Sequence, residues 1–278
     1  MKAAIAQINS VLGDLNKNIE RHIECCNKAI ENKADMIIFP ELSLTGYSVK
    51  DINYDIAFNP YKSDKLKKLT ELSKKISIVA GFVEEDEKYA VYNSAILLED
   101  GEIKGMHRKI YPPTYGIFEE YRYFSKGMNC IPTDSKFGKL GIMVCEDLWH
   151  LSVPYTMAMA GAKILIGIAC SPTRLAVDTE HFKNYDINSE HHKTYARILS
   201  SYLLFCNRVG FEDGVNFWGG SEAVDPSGNI ISVAKIFEED MIFAEIKETE
   251  VQRARRNARH FIDEDLDKTL KNLHKLNL

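Results

Sequence analysis

Cys145 stands at a position in the sequence that would suit a nucleophile. It follows the apolar run at residues 138–144, and a helix-like segment begins soon after it. A thiol just before a helix N-terminus lies near unpaired backbone N–H groups and the positive end of the helix dipole. Both would favour the thiolate and stabilise an oxyanion. The same position also suits a buried, inert cysteine, so the choice depends on partners elsewhere in the chain.

A glutamate and a lysine occupy similar positions at the ends of other apolar runs. Glu41 follows the run Met36–Phe39 and Pro40, and a carboxylate at the carboxyl end of a strand lies where open α/β sheets bind ligands. Lys109 ends a strand-like run shortly before the turn-forming pair Pro112–Pro113. Either residue alone would ordinarily be a solvated loop or surface side chain. A functional interpretation therefore depends on their occurring together with Cys145.

Glu120 lies in an aromatic stretch, where its environment is open to two interpretations. It could be partly buried with a raised pKa, or it could face solvent while the rings face inward. The sequence does not decide between these two environments. The aromatic residues around it are Phe118, Tyr121, Tyr123 and Phe124.

The stretches around these residues, in this chain order, resemble the nitrilase superfamily of carbon–nitrogen hydrolases. They read FPELSLTGY around Glu41, HRKIYPPTYGIFEEYRYF around Lys109 and GIMVCEDLW around Cys145. Two further matches follow, NRVGFEDGVNFWGGS at 207–221 and VDPSGNI at 224–230, so the resemblance runs from residue 1 to about residue 246. It implies an enzyme with a Glu–Lys–Cys site.

The resemblance implies a role in amide hydrolysis for each of these side chains. Glu41 would be the general base that takes the proton of Cys145 and later passes one to the leaving nitrogen. Cys145 would attack the amide carbon and form a thioester acyl-enzyme. Lys109 and the backbone N–H of Glu146 would form the oxyanion hole. This chemistry requires no metal or organic cofactor.

Further residues of the expected site follow from the same resemblance. Glu120, rather than its neighbour Glu119, matches the second glutamate of the family by its spacing to the last aromatic residue of the stretch, and it would position Lys109 and the substrate or water. His150 is expected to face solvent or to lie at the pocket rim, because Glu41 already fills the position of the base. The expected pocket walls, each of which could instead be a core or interface aromatic residue, are Tyr47, Tyr115, Trp149 and Phe217.

Within the superfamily, the CEDLW and GIFEEYRYF stretches look most like the glutaminase domain of glutamine-dependent NAD synthetases. The 278-residue sequence contains no SGGxDS-type phosphate-binding motif, so we expect that it does not make NAD by itself. The leading prediction is a thiol amidase that releases ammonia from glutamine or another small ω-amide. The alternatives are an N-carbamoyl amidohydrolase and an ammonia-supplying glutaminase subunit of a separate ATP-dependent amidotransferase, which would make that synthetase a partner.

The arrangement of apolar runs predicts an α/β fold. Short runs alternate with longer amphipathic segments over the first two-thirds of the chain, and no linker or repeat interrupts them. We therefore expect one domain over residues 1–278, with 248–278 as a charged, helical C-terminal tail. The apolar spacing also predicts a helix at 190–204 and a strand at 205–209. The resemblance implies a four-layer α-β-β-α sandwich, whose subunits usually form homo-oligomers.

Composition argues against several other classes of function. The formal net charge of −5 argues against a nucleic-acid binder, and no apolar run approaches the roughly 20 residues that cross a bilayer. The six cysteines are scattered without CxxC spacing or any His/Cys cluster, which argues against a zinc site or a disulfide framework and favours a reducing cytoplasm. We therefore expect neither nucleic acid nor membrane as a partner, and the resemblance implies a small-molecule amide as the molecule that is bound.

Overall fold

Two six-stranded sheets and the helices that cover them form the body of the protein. The computed structural model describes residues 1–173 and 183–276. Over these residues the strands, in chain order, are β1 (Lys2–Gln7), β2 (Met36–Ile38), β3 (Ser77–Glu85), β4 (Val91–Glu99), β5 (Glu102–Arg108), β6 (Thr133–Ser135), β7 (Gly138–Val144), β8 (Ile164–Ala169), β9 (Tyr202–Asn207), β10 (Val209–Glu212), β11 (Val215–Trp218), β12 (Glu222–Val224), β13 (Ile230–Val233) and β14 (Asp240–Glu245). The α-helices are α1 (Leu15–Glu31), α2 (Asn53–Ile56), α3 (Lys67–Leu72), α4 (Glu120–Tyr123), α5 (Ser152–Met159), α6 (Lys183–Ile198), α7 (Glu248–Asn257) and α8 (Leu266–His274).

Each sheet has a parallel centre and antiparallel edges. The first sheet has the strand order β14-β1-β2-β3-β4-β5, in which β1, β2 and β3 are parallel. The second has the order β13-β12-β9-β8-β7-β6, in which β7, β8 and β9 are parallel. Strands β10 and β11 form a separate hairpin. The continuous apolar runs of β2 and β8 suit these central positions, because both faces of a central parallel strand are covered.

Three hydrophobic clusters hold four layers together. The cluster between the sheets contains Ile5 of the first sheet and Ile142 of the second. On the outer face of the first sheet, a second cluster includes Cys26 of α1 and Leu69 of α3. On the outer face of the second sheet, a third cluster includes Met157 of α5 and residues of α6. The predicted four-layer α-β-β-α sandwich is confirmed.

The predicted helix at 190–204 is wrong at its carboxyl end. Helix α6 ends at Ile198, and β9 already begins at Tyr202. The chain turns at Ser200, whose φ of 46° lies in the left-handed region and stops the helix. Every residue of β9 is buried, so this strand lacks the polar–apolar alternation that would distinguish it from a buried helix face.

The C-terminal segment contains two helices with different environments. Helix α7 buries Val251 in the cluster between the sheets. Helix α8 leaves Leu266, Leu270 and Leu273 exposed. The last two residues of the predicted tail at 248–278 lie outside the described residues. Within the part of the chain that the structure describes, no helix has the length and apolar character needed to cross a bilayer.

The carboxyl ends of strands from both sheets lie next to each other. Glu41 comes shortly after β2 of the first sheet, whereas Cys145 and Cys170 directly follow β7 and β8 of the second. The backbone N–H of Cys170 donates to Oε2 of Glu41 at 2.7 Å and so connects the two sheets. Within the first sheet, Gly81 of β3 lets the backbone at Glu41 and Leu42 lie against the strand, because a Cβ there would lie 2.2 Å from the backbone nitrogen of Leu42.

Candidate active site

A buried lysine bridges two buried glutamates where the sheets meet. Lys109, which directly follows β5, donates from Nζ to Oε1 of Glu41 at 2.8 Å and to Oε1 of Glu120 at 2.7 Å. The exposed fraction is 0% for Glu41, 1% for Lys109 and 5% for Glu120. Glu119 is exposed. A charge is tolerated in the interior when it is paired and hydrogen-bonded, and here one cation is shared by two carboxyl groups.

Tyr47 and Phe217, expected as pocket walls, lie instead beside this ion cluster. The hydroxyl of Tyr47 donates to Oε1 of Glu120 at 2.7 Å. Its ring meets the fully buried ring of Phe217 edge-on, with the centroids 5.7 Å apart. Burial and the charge of Glu120 raise the pKa of the Tyr47 phenol well above its ordinary value, so the phenol remains a hydrogen-bond donor. Tyr47 therefore holds Glu120 in place.

Asn93 also belongs to this cluster, and the sequence analysis did not find it. Its Nδ2 donates to Oε1 of Glu41 at 2.7 Å and to Oε2 of Glu120 at 3.4 Å. Its backbone carbonyl accepts from the backbone N–H of Lys109 at 2.9 Å. A buried asparagine within the apolar run of β4 was the available signal, because a polar group in such a strand needs a partner.

The nucleophile candidate Cys145 sits on a sharp turn. Its φ of 48° is in the left-handed region, which costs a residue with a side chain about 1 kcal/mol or more. A short 3₁₀ helix, Cys145–Trp149, begins at this residue. The charges of Glu41, Lys109 and Glu120 all act on the thiol, which places it beside the ion cluster.

The thiol of Cys145 is not activated as a free thiolate. Burial and the charge of Glu41 raise its pKa well above its ordinary value, although Lys109 opposes them. The expectation that a helix N-terminus would favour the thiolate is therefore wrong. The physical reason is that the thiol is desolvated beside two carboxyl groups and one cation, and that the helix at its position is short. A base must remove the proton for the sulfur to react.

Asp147 ties the segment of Lys109 to the turn of Cys145. Its carboxylate is fully buried and accepts from the backbone N–H groups of Ile110 at 3.0 Å and Tyr111 at 3.1 Å. It also accepts from the backbone N–H of Val144 at 3.1 Å and lies 2.8 Å from Nε2 of His107. The flanking residues of both candidate catalytic groups are thus held by one side chain.

Replacing Asp147 by alanine is expected to lower the free energy of unfolding by about 2–4 kcal/mol, because buried N–H groups lose their acceptor. Urea denaturation measures this. Asp134→Ala is the matched control: its carboxylate is exposed and pairs with Lys139 at the surface, so a change below about 0.5 kcal/mol is expected. Equal stabilities of the two variants would contradict the assigned role.

Opposing charges fix the protonation of the ion cluster. Burial acts to lower the pKa of Lys109, but the charges of Glu120 and Glu41 outweigh it and raise that pKa well above its ordinary value. Lys109 is therefore a permanent cation. Burial raises the pKa of Glu120 to about 7, because the nearby charge of Lys109 only partly offsets it and Glu41 adds to it.

The raised pKa of Glu120 predicts a pH-dependent stability. Since the folded state binds this proton more tightly than the unfolded state, the free energy of unfolding falls as the pH rises from about 4.5 to about 7. Glu120→Gln removes this contribution. Over this pH range, the free energy of unfolding of the variant should therefore increase by about 3 kcal/mol relative to that of the wild type. Urea denaturation at pH 4.5 and pH 8 measures the difference.

Glu119→Gln provides the control for this experiment, because Glu119 is the exposed neighbour of Glu120. Its stability should follow that of the wild type at both pH values. If Glu120→Gln and Glu119→Gln behave alike, Glu120 does not carry the raised pKa.

A cavity of about 680 Å³ opens beside Cys145. Its walls include Tyr115 and Trp149, both expected there, and Glu146, whose Oε2 accepts from the Tyr115 hydroxyl at 2.8 Å. Among the lining residues that the structure describes, Glu146 is the one that carries a charge. His150 lies outside the lining. Its ring stacks on that of Tyr111, with the centroids 3.5 Å apart, and its Nε2 lies 3.7 Å from Oε1 of Glu146.

The described residues offer no group of three or more His, Cys, Asp or Glu side chains arranged to hold a metal ion.

A family model for carbon-nitrogen hydrolases matches residues 2–256. The chain belongs to the carbon-nitrogen hydrolase family. The predicted resemblance is confirmed. The three candidate catalytic residues, Glu41, Lys109 and Cys145, follow strands of both sheets.

Two relatives of this carbon-nitrogen hydrolase differ in length. It is 32% identical over 255 residues to a glutamine-dependent NAD(+) synthetase of Thermotoga maritima, an overlap that covers 88% of this chain and 42% of the synthetase. It is 27% identical over 285 residues to a probable nitrilase of Schizosaccharomyces pombe, covering 98% and 99% of the two chains. The chain thus spans less than half the length of the synthetase.

Among solved structures, the hydrolase is similar to a carbon-nitrogen hydrolase from Helicobacter pylori G27, with a TM-score of 0.88, 26% identity and coverage of 98% of each chain. It is also similar to a glutamine-dependent NAD+ synthetase from Acinetobacter baumannii, with a TM-score of 0.78 and 29% identity. That match covers 90% of this chain and 46% of the synthetase. The matched part of each neighbour shares the layered fold described above.

Proposed function

We propose that this protein is a thiol amidase that hydrolyses a small linear carboxamide and releases ammonia. The observation that carries the proposal is the buried Lys109, shared by Glu41 and Glu120, beside a thiol that lines a cavity. A fixed cation, a base and a nucleophile are the groups that amide hydrolysis through an acyl-enzyme requires.

Glu41 acts as the general base in this mechanism. Because the pKa of Cys145 is raised, the thiol is protonated at rest, and Glu41 takes its proton as the sulfur attacks the amide carbon. Lys109 and the backbone N–H of Glu146 stabilise the oxyanion, each by roughly 3 kcal/mol. The proton on Glu41 passes to the leaving nitrogen, ammonia departs, and water activated by Glu41 hydrolyses the thioester.

Glutamine is the substrate that we propose first. Glu146 supplies a carboxylate to the cavity wall, and a carboxylate there favours a substrate with a positively charged group such as an α-ammonium. Tyr115 orients that carboxylate through its hydroxyl. The curated relatives among the synthetases are named for their dependence on glutamine, which agrees with this choice.

Ammonia release from a panel of amides tests the proposal. The panel contains glutamine, asparagine, ω-amides of dicarboxylic acids, aliphatic amides and N-carbamoyl compounds. Turnover of one amide class by the wild type, and not by Cys145→Ala, is the expected result. Release of carbon dioxide together with ammonia would instead identify an N-carbamoyl amidohydrolase.

A second candidate is an ammonia-supplying subunit of a separate ATP-dependent synthetase. It is favoured by the observation that the match covers less than half the length of each glutamine-dependent synthetase. Glutaminase activity measured with and without such a synthetase and its substrates distinguishes the two functions. Stimulation of at least about tenfold by the partner favours the subunit, and equal rates favour the independent amidase.

A further inference from the structure

The hydrogen bonds of Glu41 leave one position open for a proton. A carboxylate has about four lone-pair sites, two on each oxygen. Oε1 of Glu41 accepts from Nζ of Lys109 at 2.8 Å and from Nδ2 of Asn93 at 2.7 Å. Oε2 accepts from the backbone N–H of Cys170 at 2.7 Å. Within the described part of the chain, Oε1 is therefore fully used and Oε2 keeps one free site.

The orientation of the Asn93 amide follows from its neighbours. Ionised carboxylates only accept hydrogen bonds, so the amide group must turn Nδ2 towards Glu41 and Glu120. Its Oδ1 is buried and has no hydrogen-bond partner among the described residues. An unpaired buried acceptor costs stability, so this placement of Asn93 is explained by what its Nδ2 does.

The geometry points to Asn93 as a positioning residue that fills Oε1 of Glu41 and directs the proton of Cys145 to Oε2. This inference rests on the proposed function, in which Glu41 is the base. Lys109 alone would leave one site on Oε1 free, and a proton placed there would lie against the lysine ammonium. Asn93 closes that site and also supports the ionised form of both carboxylates.

The proton step balances without any further reactant. The S–H bond of Cys145 breaks as the O–H bond forms at Oε2 of Glu41 and the S–C bond forms at the amide carbon. The carbonyl π electrons move to oxygen and return when the C–N bond breaks. The leaving nitrogen takes the proton from Oε2, so Glu41 is again ionised when ammonia departs.

Asn93→Ala and Asn93→Asp test the inference through the pH dependence of kcat/KM. Loss of the Nδ2 donor removes a hydrogen bond that favours the charged form of the ion cluster, so the acid limb of the kcat/KM profile should move to higher pH by about one unit. Asn93→Asp adds a third carboxyl group and should move it further. We expect kcat to fall by about 10–100-fold and KM to change by less than about threefold.

Asn18→Ala is the matched control, because it removes another buried asparagine. Its amide donates to the backbone carbonyls of Val11 and Leu44, at the start of α1. The control should melt at a lower temperature while its acid limb stays in place. If the acid limb also stays in place in Asn93→Ala, the inference is overturned even if kcat falls. Asn93 would then have a purely structural role.

Alkylation of Cys145 by iodoacetamide gives a second readout that needs no substrate. The rate at the Cys145 peptide, followed by mass spectrometry from pH 5 to 9, should show the same shift in Asn93→Ala. An unshifted alkylation profile would overturn the role of Asn93. Ammonia release that survives in Cys145→Ala would instead overturn the proposed function, so the two failures are distinguishable.

Discussion

Replacing Cys145 by alanine is expected to abolish ammonia release and to leave the fold intact. The side chain is the proposed nucleophile, and without it no thioester can form, so kcat should fall by about 10⁴-fold or more. The substitution removes a single sulfur from a partly buried position, and the melting temperature should change by only a few degrees. Ammonia release and thermal melting measure the two effects.

Cys130→Ala is the control for this substitution. Cys130 is also partly buried, and burial and the charge of Asp147 raise the pKa of its thiol to about 11, but its Sγ donates to the backbone carbonyl of Val153, away from the ion cluster. It should retain full activity. Full activity of Cys145→Ala would rule out the thioester mechanism.

Replacing Lys109 by methionine is expected to damage both stability and catalysis. Glu41 and Glu120 would then share a buried space without a cation, which costs about 3–5 kcal/mol. Because protonation of one carboxyl group relieves this repulsion, the loss of stability should be larger at pH 8 than at pH 5. The oxyanion would also lose its charged donor, so kcat should fall by about 10³-fold. Urea denaturation at the two pH values and ammonia release measure these changes.

Lys104→Met, on the strand β5 that Lys109 follows, serves as the control. Lys104 pairs with the exposed Glu102, and such a pair contributes roughly 0–1 kcal/mol. Its stability and activity should match those of the wild type. If the stability of Lys109→Met does not depend on pH more strongly than that of Lys104→Met, the two glutamates are not coupled through Lys109.

The sequence was sufficient to predict the fold class and the residues that follow two of the central strands. Lys109 follows the edge strand β5, whose residues are mostly exposed or half-buried, so its run is a weaker signal. Apolar runs closed by Glu41 and Cys145 are visible because burial on both faces of β2 and β7 leaves a continuous apolar stretch. Strand β9 was misjudged for the same reason, since such a stretch also suits a buried helix. The hairpin of β10 and β11 was not predicted, because each of its strands is only four residues long. The pair Asp213–Gly214, both at positive φ, was the available signal for the turn.

The electrostatics of the site could not be predicted from local sequence. The raised pKa of Cys145 depends on burial in the folded protein and on the charge of Glu41, which is distant in sequence. Asn93 was overlooked because a single polar residue in a strand does not reveal which carboxylates it meets. Tyr47 was expected in the pocket wall, but only the fold shows its hydroxyl on Glu120.

The bond from the backbone N–H of Cys170 to Glu41 crosses from one sheet to the other. Glu41, Asn93 and Lys109 come with the first sheet, and Cys145 comes with the second, so neither half of the molecule holds the complete set. The proposed reaction therefore depends on the packing of one sheet against the other, and not on either sheet alone.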